Sequence, residues 1–422
     1  MLIQNLRPAS GGDQTREVGR MRTVAVIGGG ASGIMAALTA AEDPENRVLL
    51  LERQQRIGRK LLATGNGRCN LTNTGAELEN YHGEQRDFAL PALEKFPPAA
   101  VLAFFEELGL LTVEEYGGRV YPLSNSANSV LDVLRFQLEK AGVEVRTACP
   151  VRTLRREKRG YTVVTDEAEL SADAVIVACG GAAGEKLGGV MDGYELLKPL
   201  GHKRTALRPA LVQLRTEADY PRALKGIRVQ ARLRLLSGGE LLGESRGELQ
   251  FTDNGVSGPA AFDLSRAVSA GGEGLRLQIR LLPLEEEAAL ALLKKRRERF
   301  PALEAAELFT GMLQNRLGRM LVRYAGIEQT KPLGALSDRE LERALGAAMA
   351  FTLKVLGTED FGHAQVTAGG VRTAGFNPET LESWFCPGLF VCGELLDIDG
   401  DCGGYNLQWA WASGRLAGRL GK

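Results

Sequence analysis

Short apolar runs that end in glycines mark the two ends of the chain. Arg22 to Ile27 (RTVAVI) is rich in β-branched residues, as expected of a strand buried on both faces, and it stops at Gly28-Gly29-Gly30-Ala31-Ser32-Gly33. An alanine-rich stretch of helical composition, IMAALTAAE, follows. Arg47 to Leu51 (RVLLL) predicts a second strand, and Glu144 to Leu154 reads as strand-like. Ala172 to Cys179 (ADAVIVAC) runs into Gly180-Gly181-Ala182-Ala183-Gly184. Leu389 to Cys392 (LFVC) enters another glycine-rich turn ahead of a helical stretch, WAWASGRLAGRL. Strand, glycine turn and helix in that order predict an α/β fold with a parallel sheet.

The middle of the chain breaks this alternation. Leu211 to Leu242 reads as short strands with turns, and Arg228 to Leu235 (RVQARLRL) alternates polar and apolar, as a half-exposed antiparallel strand does. Glu248 to Phe251 adds another strand, and Leu284 to Gly346 is helical in pattern. The expected organisation is a discontinuous Rossmann-like domain, residues 21–195 and 365–422, with a substrate-side domain inserted at 196–364. That insert is β-rich and barrel-like over about 205–283 and helical over about 284–350. Residues 1–20 are polar and read as a disordered leader or an over-called start.

Composition narrows the function classes. Lys+Arg and Asp+Glu are equal at 52 each, so no global basic field gathers nucleic acid or anionic lipid. The run Lys294-Lys295-Arg296-Arg297-Glu298-Arg299 follows Glu285-Glu286-Glu287 at helical spacing and reads as a solvated face with ion pairs. No segment approaches the roughly 18 uninterrupted apolar residues of a membrane span. The six cysteines (Cys69, Cys149, Cys179, Cys386, Cys392, Cys402) show no CxxC pair and no zinc spacing, so a cytoplasmic, reduced protein without a metal is expected. Cys392 and Cys402 are the sole candidates for a redox pair and lack its short motif. His82, His202 and His363 suggest structural roles, with His363 the nearest to a substrate side.

Gly28, Gly30 and Gly33 form G-x-G-x-x-G between a predicted strand and helix. The first glycine makes the turn, the second admits a pyrophosphate, and the third lets helix and strand pack. Glu52, nineteen residues after Gly33, is placed to accept hydrogen bonds from an adenosine ribose, with Arg53 beside it. Gly180 opens a turn where the chain can cross the dinucleotide, and Val151 stands where a backbone could read adenine. A nicotinamide dehydrogenase would continue through further β-α units. Here the stretch GRKLLATGNGRCNLTN (Gly58 to Asn73) follows, too long a loop to be idle. More than 300 residues later, VCGELLDIDGDCGGYNLQ feeds a second helix start, whose dipole suits a nitrogen or oxygen gaining negative charge.

These blocks, with GRVYPLSNSANSV, QFTDNGVSGPA and VTAGGV between them, resemble the bacterial aminoacetone-oxidase-like FAD-binding enzymes, which include the bile-acid-inducible-N-like flavoproteins. The resemblance implies FAD and a two-dinucleotide-binding-domain-type flavoprotein fold. It carries Gly28, Gly30, Ala31, Ser32 and Gly33 to the pyrophosphate and Glu52 to the ribose. Lys60, Thr64, Gly65, Asn66, Cys69, Asn70 and Leu71 would approach the ribityl chain and isoalloxazine. Gly393, Glu394 and Asp397 would sit at the pyrophosphate and ribityl chain, and Gly404, Tyr405, Asn406, Leu407 and Gln408 at the pyrimidine edge. The resemblance also places Thr252 to Pro259 near the flavin. One departure is Gly188-Gly189-Val190-Met191-Asp192-Gly193-Tyr194, which keeps Asp-Gly-Tyr but loses small polar residues that could line the substrate side.

The function expected is FAD-dependent oxidoreduction of a small organic molecule. Two half-reactions stay open: reduction driven by NAD(P)H, or oxidation of an amine-like substrate coupled to O₂. No second complete glycine fingerprint occurs, so NAD(P)H would bind transiently against the flavin. Cys69, Asn70 and Tyr405 are the catalytic candidates. A flavin-dependent RNA-modifying or RNA-binding protein is the alternative, disfavoured by the balanced charge, and a flavin-binding protein without turnover is a third.

Overall fold

The computed structural model describes residues 21–422; the leader expected at 1–20 lies outside the described residues. Five parallel strands form the central sheet, in the order Leu389–Val391, Ala174–Val177, Arg22–Ile27, Asn46–Leu51, Glu144–Arg146. Arg22–Ile27 lies in the middle, with Val24, Ala25, Val26 and Ile27 all buried. A parallel strand covered on both faces is apolar throughout, which is why RTVAVI does not alternate. The strand-like reading of Glu144 to Leu154 resolves into two elements. Glu144–Arg146 edges the main sheet, and Val151–Arg156 opens a three-stranded antiparallel sheet with Tyr161–Thr165 and Glu169–Ala172. Between them Ala148 takes φ +51 and Pro150 offers no amide to a ladder.

Helices Ala31–Ala40 and Tyr405–Gly418 lie side by side and run the same way. A Cβ at Gly414 would overlap the Ser32 carbonyl, and one at Gly418 the Ala36 carbonyl. Glycines four apart thus clear one face for a close parallel contact. The first and last described segments share one core, and both helices start on the same side of the molecule.

A second, separate apolar core runs from Leu214 to Val355, whereas the sheet's core uses residues up to Leu197 and again from Val371. Six antiparallel strands close a barrel in the order Leu214–Thr216, Gly255–Ser257, Glu240–Phe251, Arg228–Ser237, Arg276–Arg280, Phe351–Thr358. In Arg228–Ser237, Ala231, Leu233 and Leu235 point inward while Arg232 and Arg234 face solvent. The sequence pattern places no strand of this unit after about residue 283, yet Phe351–Thr358 closes the barrel against both Arg276–Arg280 and Leu214–Thr216. Helix Asp338–Met349 reaches it with a single intervening residue and no glycine or proline, so local sequence hides the boundary. The basic run on helix Glu286–Arg299 pairs with a neighbouring helix: Lys294 and Arg297 meet Asp338 at 3.0 and 2.8 Å. Those ion pairs run between helices instead of along one. No single helix among the described residues is long and apolar enough to cross a membrane.

Candidate active site

One cavity of about 860 Å³, a size that suits a large cofactor, runs from the carboxyl ends of the parallel strands to the mouth of the barrel. Its floor is made of the turns after three strands: Gly28 to Ser32, Glu52 to Gln54, and Ala178 to Gly181. The three fingerprint glycines differ in what they do. Gly28 takes φ +111, and a Cβ there would overlap the Ala178 carbonyl; one at Gly33 would overlap the Gly28 carbonyl. A Cβ at Gly30 meets nothing within 4 Å. Two glycines therefore serve protein packing, and Gly30 alone keeps space open for a ligand. Gly180, at φ +70, also faces open space. The helix beginning at Ala31 has no side-chain cap, so its first amides and positive dipole end are free for an anion.

Glu52 is buried, and its two oxygens accept from the Gly29 and Gln54 amides, each at 2.7 Å. Those bonds fix the carboxylate and leave it lone pairs for hydroxyls. Arg53 pairs with Asp192 at 3.1 Å, and Gly188 lies against Gln54. The loop that departs from the resemblance therefore falls beside Glu52–Gln54, with Gly189, Val190 and Asp192 on the cavity lining. On the opposite wall Lys60 meets Glu394 at 2.7 Å, and the other Glu394 oxygen accepts from the Thr367 amide at 2.8 Å. Thr64, Gly65, Asn66 and Asn70 line the same wall. Gly65 and Asn66 both take left-handed φ, which asparagine tolerates better than most residues.

Helix Tyr405–Gly418 starts at Gly404 (φ +104) without a side-chain cap, and helix Pro259–Ala270 starts at Gly258, again on the cavity. Three helix amino termini thus open on one space. Asn70 Oδ1 is buried without a hydrogen-bond partner. The residues present fit FAD: open space at Gly30 and an uncapped helix start for the pyrophosphate, Glu52 for the ribose. Asn70 supplies an orphan acceptor for an N–H or hydroxyl.

Several expected residues are not on the cavity wall. Cys69 is fully buried, and burial pushes its thiol up to about 12, so it carries no thiolate at neutral pH. Leu71 is buried, with its carbonyl accepting from Trp411 Nε1 at 2.9 Å. Asp397 turns away to accept from the Glu84 amide at 3.1 Å, and burial raises its pKa. Tyr405 packs edge-on against Tyr81 with ring centres 6.3 Å apart. Gln408 is wholly buried, accepting from Thr72 Oγ1 at 2.6 Å and donating to the Phe96 carbonyl at 2.7 Å. Gly33 and Gly393 act behind the wall, since a Cβ at Gly393 would overlap Ser32 Oγ. Asn406 reaches the cavity, but its side chain closes on both the amide and carbonyl of Gly400, at 2.8 and 2.7 Å. The turn at Gly404 thus presents the helix start that the sequence pattern led to, with Leu407 beside it.

Other residues line the cavity that sequence reasoning did not single out. Arg119 and Tyr121 come from strand Arg119–Pro122, inside the GRVYP block that carried the resemblance without a role. Arg68 stacks its guanidinium 4.0 Å from the Tyr121 ring centre. Phe262, Cys402 and Gln365 complete this side, together with Ser257, Gly258 and Pro259 of the segment expected near the flavin. Asp263 accepts from the Cys402 amide at 2.9 Å, and burial pushes its carboxyl up to about 6. Asp401 reaches the cavity and bonds His82 Nε2 at 2.7 Å. His363 also lines it, whereas His202 stacks on Phe376 and burial lowers its pKa to about 4. No cluster of metal ligands occurs among the described residues, and the six cysteines are free.

Residues 22–420 match the family model described as "HI0933-like protein Rossmann domain". The "3-dehydro-bile acid delta(4,6)-reductase" of Clostridium scindens is 40% identical, over 94% of this chain and 98% of the relative. The "Ribosomal RNA dihydrouridine synthase" of Escherichia coli is 28% identical, over 92% of this chain and 95% of the relative. Among solved structures, the open conformation of a flavocytochrome c3 fumarate reductase covers 96% of this chain and 78% of its own, with 17% identity and a TM-score of 0.46. That superposition is too loose to place side chains. The chain belongs to the HI0933-like family, and it is an FAD-dependent oxidoreductase.

Proposed function

We propose that this protein is a reductase in the bile-acid-inducible-N-like branch of its family, saturating a carbon–carbon double bond conjugated to a carbonyl in a small, largely apolar substrate. The observation that carries this reading is the 40% identity, over nearly the full length of both chains, to a protein named as a bile-acid reductase. The more distant relatives named dihydrouridine synthases point the same way, because making dihydrouridine also saturates a double bond next to a carbonyl. Bound FAD supplies the two-electron chemistry, and the protein supplies position, charge and exclusion of water.

The chain's own residues divide that work. Gly30 and the first turn at Ala31 would hold the dinucleotide, and the Gly404 turn would offer backbone amides to the flavin. The Lys60–Glu394 pair ties the early loop to the late turn. Pro259 and Phe262 present apolar surface from the barrel side. NAD(P)H is the proposed donor, binding transiently, since the sequence holds one glycine fingerprint.

Anaerobic addition of NADH or NADPH to the yellow protein is expected to bleach the oxidised flavin band, and an enone steroid acid is expected to restore it. No bleaching with either nucleotide would sink the reductase reading and favour oxidation coupled to O₂. A second reading, action on ribosomal RNA, is favoured by the names of the relatives at 28% and 27% identity. Arg56, Arg59 and Arg228 on the cavity's lining could meet phosphates. Salt-sensitive retention of a ribosomal RNA fragment in filter binding would support that reading over the first.

A further inference from the structure

Arg119 is a half-buried cation on the cavity wall with no hydrogen bond or ion pair to its guanidinium among the described residues. The cause is visible around it. Its cross-strand neighbour is Glu115, but Arg68 captures that carboxylate with two nitrogens. Asp263 is held by the Cys402 amide, and Asp401 by His82. Each of these three carboxylates has another partner, so the guanidinium, a donor of up to five hydrogen bonds, lines the cavity without a carboxylate bound to it. Arg119 Nε lies 3.5 Å from where a Cβ on Gly403 would stand, beside the uncapped start of helix Tyr405–Gly418. Tyr121, two residues on along the same strand, shares its face and also lines the cavity, with Arg68 stacked on its ring.

We propose that Arg119, with the Tyr121 hydroxyl beside it, receives the carbonyl oxygen of the substrate; this rests on the conjugated-carbonyl reading above. The double bond takes up two electrons and one proton at its far carbon, and negative charge collects on the carbonyl oxygen. A second proton, from water, on the near carbon restores the carbonyl. A guanidinium at that oxygen binds the developing charge more strongly than the neutral ketone, so it lowers the barrier as well as orienting the substrate.

The test uses the FAD-loaded protein, Arg119→Gln and Arg119→Lys, with two probes: a cholenoic acid bearing the ring enone, and its analogue lacking the ketone. Dissociation constants come from the flavin difference spectrum of the oxidised protein, so turnover is not needed; FAD content and melting temperature check the fold. Arg119→Gln is expected to weaken the enone by about 10-fold or more, as for other hydrogen bonds to charge, and to leave the ketone-free analogue nearly unaffected. The fall in kcat should exceed the rise in KM, and Arg119→Lys should recover part of both. Equal weakening of the two probes, or of neither, would overturn the inference while leaving the reductase reading intact. Failure of the unaltered protein to bind the enone at all would remove both.

Discussion

The two glycine turns that bracket the cavity use the same residue for different reasons. At the amino-terminal turn, Gly30 has open space where a side chain would go, so no protein contact requires its lack of a Cβ. At the carboxyl-terminal turn, Gly404 is at φ +104, and a Cβ there would run into the Thr72 backbone and approach Asn70 Oδ1 to 3.0 Å. Its lack of a Cβ serves the protein, because it lets the last helix start against the early loop. The missing side chain leaves open space on the cavity at one turn and lets two distant chain segments meet at the other. A glycine pattern in sequence does not separate the two. The space around each glycine does.

That contrast can be broken by substitution. Gly404→Val combines a left-handed φ with overlap on backbone, and should cost at least about 3 kcal/mol. Chemical denaturation would read it, with apo and FAD-loaded protein losing stability alike. Gly30→Val should instead weaken FAD about 100-fold or more, followed by flavin fluorescence, while the apo protein changes by no more than about 0.5 kcal/mol. If the apo protein unfolded too, Gly30 would belong with Gly404. Lys60→Met should strand Glu394 at the seam between the two turns, at about 1 kcal/mol given the partial exposure of the pair.

Asp263 tests the barrel side of the joint. Its folded pKa of about 6 lies above the ordinary 3.8, so the folded form holds its proton longer than the unfolded chain. The stability it contributes is full below 3.8 and is lost as pH rises to about 6. Asp263→Asn keeps an acceptor for the Cys402 amide and removes the titration. Its melting temperature should gain on the parent across that window; parallel curves would show that burial leaves this carboxyl untouched. The smallest effect is expected at Cys69→Ala, where the flavin spectrum and FAD affinity should stay as they were, because the thiol is neutral and behind the wall.

Local sequence carried the parallel strands, the glycine turn after Ile27 and the helix start at Gly404. Each depends on neighbours in sequence: β-branched runs bury on both faces, and glycine accepts backbone angles others avoid. The alternating strand at Arg228 was legible for the same reason, while the closing strand at Phe351 was not, because a single residue separates it from helix Asp338–Met349 and no turn residue marks the boundary. Side-chain direction at the site was decided by tertiary contacts alone. Gln408 and Tyr405 stand in a motif as specific as any here, yet Thr72 and Phe96 hold Gln408 in the core and Tyr81 packs against the half-buried Tyr405, all more than 300 residues earlier. Arg119 is left without its cross-strand carboxylate because Arg68, from another part of the chain, pairs with Glu115. A periodic pattern specifies which face of an element is buried, and a polar group's orientation follows from which partners the fold leaves free.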